Sequence, residues 1–149
     1  MINEHEGEIM LIETLKAANM EALKNRDKEK RAILSVLINK YNLLSIELQA
    51  KGKSIADSDL LTLIQKSLKE LEDEKAGFES VHNEEKVHAI TYQMDVLKKY
   101  LPKMLSEEEI RAEIQSLDDI SIPTIMKHFK EKYPGQVDMG LVNKIARSL

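Results

Sequence analysis

The chain has 149 residues, of which 42% are hydrophobic, 32% are charged and only 4% are aromatic. This balance is typical of packed helices and argues against a disordered chain or a β-sandwich, so we expect an all-α fold. The net charge of −4 argues against wholesale wrapping of nucleic acid, and the lack of cysteine excludes disulfides and thiolate metal sites. The lack of cysteine fits a reducing compartment, so we expect a cytoplasmic protein. We expect no membrane segment, because the apolar run 9–12 is too short to span a bilayer.

The first two helices are predicted from apolar residues that recur every three or four positions. The first runs from about Glu8 to Asn25. The second is capped by Asp27 and ends near Gly52. Their apolar faces comprise Ile12, Leu15, Ala18 and Ala22 in the first, and Ile33, Leu37, Tyr41, Leu44 and Leu48 in the second.

The third and fourth helices are predicted to pair as a long antiparallel hairpin, because only a short turn over residues 79–83 separates them. The third begins near Ala56 or Asp57, and only Lys75 interrupts its apolar stripe. Asn83 is a plausible cap for the fourth. The two stripes comprise Leu61, Ile64, Leu68, Leu71 and Phe78, and then Val87, Ile90, Met94, Leu97 and Leu101.

A proline divides the chain into two predicted domains. Pro102 has no amide hydrogen and disfavours a helical residue before it, so the fourth helix should stop at that preceding residue. Ser106 and Glu109 have the capping-box spacing that opens the next helix. We therefore predict an N-terminal helical domain of residues 1–103 and a small C-terminal helical domain of residues 104–149.

Three short helices are predicted in the C-terminal domain. One runs from Ser106 to about Leu117, a second starts with Pro123 as its first residue, and a third is capped by Asp138. A turn at residues 133–135 separates the last two. The apolar faces comprise Ile110, Ile114 and Leu117, then Ile125, Met126 and Phe129, and finally Val142, Ile145 and Leu149.

Charge is distributed unevenly along the chain. Residues 105–120 contain six acidic residues and one basic residue, whereas residues 121–149 contain five basic and two acidic residues. A locally basic element can face phosphates or an acidic protein surface, and the amide end of the helix capped by Asp138 can meet a phosphate. The five basic residues of the last segment are Lys127, Lys130, Lys132, Lys144 and Arg147.

A second basic cluster lies at the junction of the first two helices. It comprises Lys24, Arg26, Lys28, Lys30 and Arg31. Because Asp27 and Glu29 interrupt the cluster, we interpret it as a solvated helix junction.

The sequence contains no convergent set of reactive groups. Gly135 and Gly140 have the spacing of a phosphate-binding loop, but Leu141 stands where such a loop needs lysine. His82 and His88 are six residues apart and would face different directions on a helix. Consecutive glutamates diverge by about 100° and cannot converge on one ion. We therefore predict no catalytic residue, no metal and no cofactor.

Two segments, YLPKMLSEEEI and IPTIMKHFKEKYPGQVDMGLVNKIARSL, resemble the YqeY-like family. The family signature is a Tyr-Leu-Pro junction and a terminal pattern close to Asp-Gly-x-x-Val-Asn-x-x-Val. The matching residues are Tyr100, Leu101 and Pro102 at the junction, and Asp138, Val142 and Asn143 near the end. Residues 25–28 and 60–79 resemble the family's second and third helices. This chain departs from the pattern at Ser35, Pro123 and Met139.

The resemblance implies an all-α bundle followed by a small domain similar to the tail domain of the B subunit of the glutamine-dependent aspartyl/glutamyl-tRNA amidotransferase, where that domain contacts tRNA. Our leading hypothesis is a non-catalytic protein that binds tRNA or a related structured RNA. The candidate RNA-binding residues are Lys127, Lys130, Lys132, Asn143, Lys144 and Arg147. For Asn143 the alternative is a structural hydrogen bond to the preceding turn.

Two other functions stay open at this point. The first is a protein–protein adaptor in tRNA metabolism, which would dock a tRNA-modifying or translation protein on the hairpin's apolar stripe or on the acidic face of the fifth helix. The second is a carbon–nitrogen ligase that uses glutamine as amido donor, which the resemblance suggests. The oligomeric state is left open, with a monomer favoured.

Overall fold

The computed structural model describes residues 10–149, which form seven α-helices and contain no β-strand. The all-α class is therefore confirmed for this part of the chain. The helices are α1 (Leu11–Lys24), α2 (Lys28–Ala50), α3 (Asp57–Ser80), α4 (Glu84–Lys98), α5 (Glu107–Gln115), α6 (Ile122–Lys132) and α7 (Met139–Arg147). The predicted start of the first helix at Glu8 lies outside the described residues. Over residues 10–149, no helix has both the length and the hydropathy needed to cross a membrane.

Backbone contacts divide the chain into two compact units, Met1–Tyr100 and Leu101–Leu149. In the first unit α1 packs against α2, α3 packs against α4, and α2 also contacts both α3 and α4. In the second unit α7 packs against both α5 and α6.

Side-chain caps begin several helices where the sequence predicts them. Asp27 and Asn83 each accept a hydrogen bond from the amide three residues further on, at 3.2 Å in both cases. Ser106 accepts from the amide of Glu109, whose carboxylate accepts from the amide of Ser106. These predictions are confirmed, and the caps satisfy amide groups that would otherwise lack partners at the helix ends.

The end of α4 differs from the prediction. We predicted a helix that continues to Leu101, but α4 ends at Lys98, and the amide of Tyr100 donates to the carbonyl of Leu97 in a tighter turn. Pro102 lacks the amide that would bond the carbonyl of Lys98, and it disfavours a helical residue before it. The last turn of the predicted helix therefore has nothing to hold it.

The buried stripe of α3 is also shifted from the prediction. Leu60 and Ser67 are buried, whereas the predicted Leu61 and Leu68 are only half-buried. The reason is that α3 contacts α1 and α2 as well as α4, so its covered face is wider than a single heptad stripe. Sequence periodicity alone did not predict that a serine would occupy the core.

The second unit is built around one apolar cluster. Its fully buried members include Ile114, Ile125 and Phe129, and Leu117 packs against it although α5 ends earlier, at Gln115. Two expectations are wrong. Pro123 is the second residue of α6, not the first, and Leu149 is 55% exposed because it lies beyond the end of α7.

Candidate nucleic-acid interface

Two of the predicted lysines lie on the outward face of α6. Lys127 and Lys130 are exposed, whereas Ile125 and Phe129 on the opposite face are fully buried. Residues three apart on a helix are separated by only about 60° around its axis, so the two ammonium groups share one face. Neither lysine forms an ion pair within residues 10–149.

The other pair of cations lies on α7, which packs against α6. Lys144 and Arg147 are exposed on the side opposite the buried Val142 and Ile145. Like the lysines of α6, they have no ionic partner in the part of the chain described. Two packed helices thus carry four cations that are free to meet an external anion.

Lys132 has a different environment from these four residues. Its ammonium lies 3.0 Å from Oε1 of Glu113 on α5, and Nε2 of His128 lies 2.8 Å from the same oxygen. The hydrogen bonds from His128 and Lys132 hold the pKa of Glu113 below its ordinary value, and Glu113 raises the pKa of Lys132. The charge of Lys132 is thus partly used to tie α6 to α5.

Acid should weaken this three-residue network. Because the pKa of Glu113 is lower in the folded state than its ordinary value of 4.5, the stabilisation is complete above pH 4.5 and is lost as the pH falls through the lowered folded value. We expect the urea concentration at the unfolding midpoint of the second unit to decrease as the pH falls below 4.5. In a Glu113→Gln variant this midpoint should depend less on pH. Glu108→Gln is the control, because Glu108 is exposed. A Glu113→Gln curve parallel to wild type would contradict the prediction.

Asn143 lies on the flank of α7 and is half-buried. Its Oδ1 atom is buried and accepts no hydrogen bond from residues 10–149. The structural hydrogen bond that we considered is therefore absent at this oxygen. A buried carbonyl without a partner costs about 1–3 kcal/mol, so the residue is not explained by stability. Contact with RNA stays a prediction.

The amide end of α7 is occupied by its own cap. The carboxylate of Asp138 accepts from the amides of Gly140 at 2.9 Å and Leu141 at 3.4 Å. A negative charge already bound to these amides disfavours the phosphate contact that the sequence left open. Sequence reasoning considered Gly140 only for a phosphate-binding loop and missed its place beside the cap, where a Cβ atom would lie 3.2 Å from the capping oxygen.

Within residues 10–149 no group of three or more His, Asp or Glu side chains is arranged to hold a metal ion.

A protein-family model matches most of the chain. The model of the family described as Yqey-like protein matches residues 12–149. The chain belongs to the YqeY-like family. No curated protein matches it. Because the family match begins in α1 and ends at the last residue, it includes helices of both units of this YqeY-like protein.

Several motif residues of this YqeY-like protein have structural roles, although Asn143 has none that the described contacts explain. Pro102 follows the end of α4, and burial raises the pKa of the neighbouring Tyr100. In the terminal motif, Asp138 caps α7 and Val142 is fully buried in the core of the second unit. Two residues of the terminal motif therefore contribute to the fold of the second unit.

Removing the cap of α7 should destabilise the second unit. We expect Asp138→Ala to lower its free energy of unfolding by about 1 kcal/mol, because two amides of the first turn lose their acceptor. Urea unfolding followed by circular dichroism measures the change. Asp118→Ala is the matched control, since it removes the same charge from an exposed position. An equal loss of unfolding free energy in both variants would assign the effect to the removed charge and not to the cap.

Proposed function

We propose that this YqeY-like protein is a non-catalytic cytoplasmic protein that binds tRNA or a related structured RNA. In this proposal a C-terminal domain, residues 104–149, contacts the RNA, and an N-terminal bundle with a long antiparallel hairpin, residues 1–103, displays it. The observation that carries the proposal is that two packed helices of the second unit carry four exposed cations without ionic partners among residues 10–149, namely Lys127, Lys130, Lys144 and Arg147.

Electrostatics supports an RNA ligand at this surface. Lysine and arginine side chains that meet phosphates release condensed counterions, and this release drives sequence-independent binding. The four cations are attached to short helices with a shared apolar core, so the helix backbones that carry them are held together. The resemblance of this domain to the tail domain of the amidotransferase B subunit points in the same direction.

Two further candidate contacts have more limited roles in the proposal. Lys132 remains 58% exposed, so its ammonium can approach a phosphate while it still bonds Glu113. Asn143 would contribute a polar contact beside the cations of α7.

The proposal assigns no catalytic residue for amide transfer. Glutamine-dependent amidation by the pure protein would therefore overturn it.

Salt dependence tests the proposal most directly. We expect tRNA binding, measured by fluorescence anisotropy, to weaken with increasing salt. A plot of log K against log salt should have a slope of about −3, because four cations neutralise about four phosphates. Binding that is undetectable at 50 mM salt, or that does not change with salt, would contradict RNA recognition by these residues.

A further inference from the structure

The outward face of α2 is apolar although it is exposed to solvent. Val36, Leu43 and Ile46 are 47%, 60% and 65% exposed. With the exposed Ala32 and Ala50 they lie within an arc of about 80° around the helix axis. The opposite side of α2 is apolar as well, and its buried residues are Ile33, Leu34, Leu37 and Tyr41.

α2 thus has two apolar sides, separated by polar residues such as Lys40 and Asn42, and an apolar side of a helix is normally covered. Single exposed apolar residues are common on protein surfaces, but a row of them along one face of a helix marks an interaction site. Only Asn39 interrupts the stripe between Ala32 and Ala50. Because α1, α3 and α4 contact other parts of α2, the described residues of the first unit leave this face uncovered.

One end of the stripe is basic. A cavity of about 590 Å³ lies between the end of α1 and the start of α2. Leu23 and Ala32 contribute its apolar wall. Its charged lining consists of Arg26, Lys28, Arg31 and Asp27. The three cations are exposed and have no ionic partner in the range 10–149.

The single acidic residue of this cavity is already engaged. One carboxylate oxygen of Asp27 accepts from the amide of Lys30, and the other accepts from the hydroxyl of Tyr92 on α4. Next to it, Nε2 of Gln93 donates to the backbone carbonyl of Glu29 at 3.1 Å. These bonds fix the start of α2 on α4, so the cations are presented from a rigid base.

A second, smaller cavity lies beside the stripe. It has a volume of about 210 Å³ and is lined by Val36, Ser67 and the Lys40–Glu70 ion pair, among others. The hydroxyl of Ser67 is buried and has no hydrogen-bond partner among the described residues. The apolar stripe of α2 therefore has a depression on either side. Side chains of a second helix can fit into such depressions.

We propose that the outward face of α2 docks an amphipathic helix of a partner protein, with the partner's apolar face on the stripe and its acidic residues against Arg26, Lys28 and Arg31. The distance from Lys28 to Ile46 is about 27 Å, which corresponds to a partner helix of about 18 residues. This changes our interpretation of the basic cluster at the helix junction from a solvated surface to one end of a docking site.

The apolar stripe favours protein over RNA as the occupant. Leucine, isoleucine and valine side chains gain from contact with apolar groups and offer nothing to phosphates. The three cations then select acidic partners, because charge complementarity governs specificity and the rate of encounter. This proposal concerns the first unit and does not depend on RNA binding by the second.

Crosslinking in cells identifies the occupant. A photoreactive amino acid is placed at Val36 or Leu43, and at the exposed Lys69 of α3, which lines neither cavity, as control. We expect the two stripe positions to crosslink one segment of another protein that has apolar residues at helical spacing and at least two acidic residues. Crosslinks to RNA, to a second copy of this chain, or only at the level of the control would overturn the proposal.

Affinity measurements then test both parts of the surface. The probe is the crosslinked segment, made as a synthetic peptide and titrated against the full chain. We expect Arg26→Glu/Arg31→Glu and Leu43→Ser/Ile46→Ser each to weaken binding by about tenfold or more. Lys66→Glu/Lys69→Glu should leave it within about twofold. All six positions are exposed, so melting curves should stay close to wild type. Unchanged affinity in either the Arg26/Arg31 variant or the Leu43/Ile46 variant would overturn the proposal.

Discussion

Replacing Phe129 by alanine is expected to unfold the Leu101–Leu149 unit and to leave the Met1–Tyr100 unit folded. The phenylalanine ring is fully buried among residues of the second unit, including Ile114, Ile125 and Val142. Truncation of a buried phenylalanine costs about 3–5 kcal/mol, through lost apolar burial and the cavity that remains. A unit of this size has little more stability than that to lose.

Hydrogen exchange measured by mass spectrometry resolves the two units. In Phe129→Ala we expect the amides of α5, α6 and α7 to exchange at nearly unfolded rates, while those of α2 and α3 keep their protection. The matched control is Phe78→Ala, because Phe78 is the other phenylalanine and lies half-buried in α3. It should weaken protection in the first unit only. Loss of protection along the whole chain in Phe129→Ala would contradict independent cores.

Reversing three charges on the C-terminal helices is expected to abolish most RNA affinity. The variant Lys127→Glu/Lys130→Glu/Lys144→Glu should bind tRNA at least about a hundredfold more weakly at 0.1 M salt. Each lost phosphate contact removes about tenfold through counterion release at that concentration. Lys132 is left unchanged, because its ion pair with Glu113 is part of the fold.

A control variant separates this effect from net charge. Lys66→Glu/Lys69→Glu/Lys86→Glu makes the same charge change at exposed positions of the first unit. We expect it to retain affinity within about threefold, since exposed charges that do not contact the RNA are largely screened. Anisotropy titrations at several salt concentrations should also show a slope whose magnitude is smaller by about two in the C-terminal variant, because three of the four phosphate contacts are lost. Equal weakening in both variants would assign binding to overall charge.

Local chemistry explains why some predictions succeeded. Asp27, Asn83, Ser106 and Asp138 begin helices where the sequence places them, because a cap needs only its own side chain and the next few amides. The predicted end of α4 was wrong because the last turn before Pro102 depends on a balance of several weak terms. Helix ends are therefore less predictable than helix starts with a strong cap.

The periodicity of apolar residues did not predict the contacts between helices. The sequence grouped Lys132 with four other basic residues, and only the tertiary structure separates it, because Glu113 of α5 lies within 3.0 Å of its ammonium. In the same way, the apolar residues Val36, Leu43 and Ile46 look like ordinary parts of a helix until the packing of α2 shows that they face water.

The sequence by itself determined the helical class, the caps, the family and the basic character of the last segment, because these depend on composition and on neighbours along the chain. The tertiary structure decided which cations remain free, which serine is buried and which face of α2 is left uncovered. Those properties depend on residues distant in sequence, and only their packing brings such residues together.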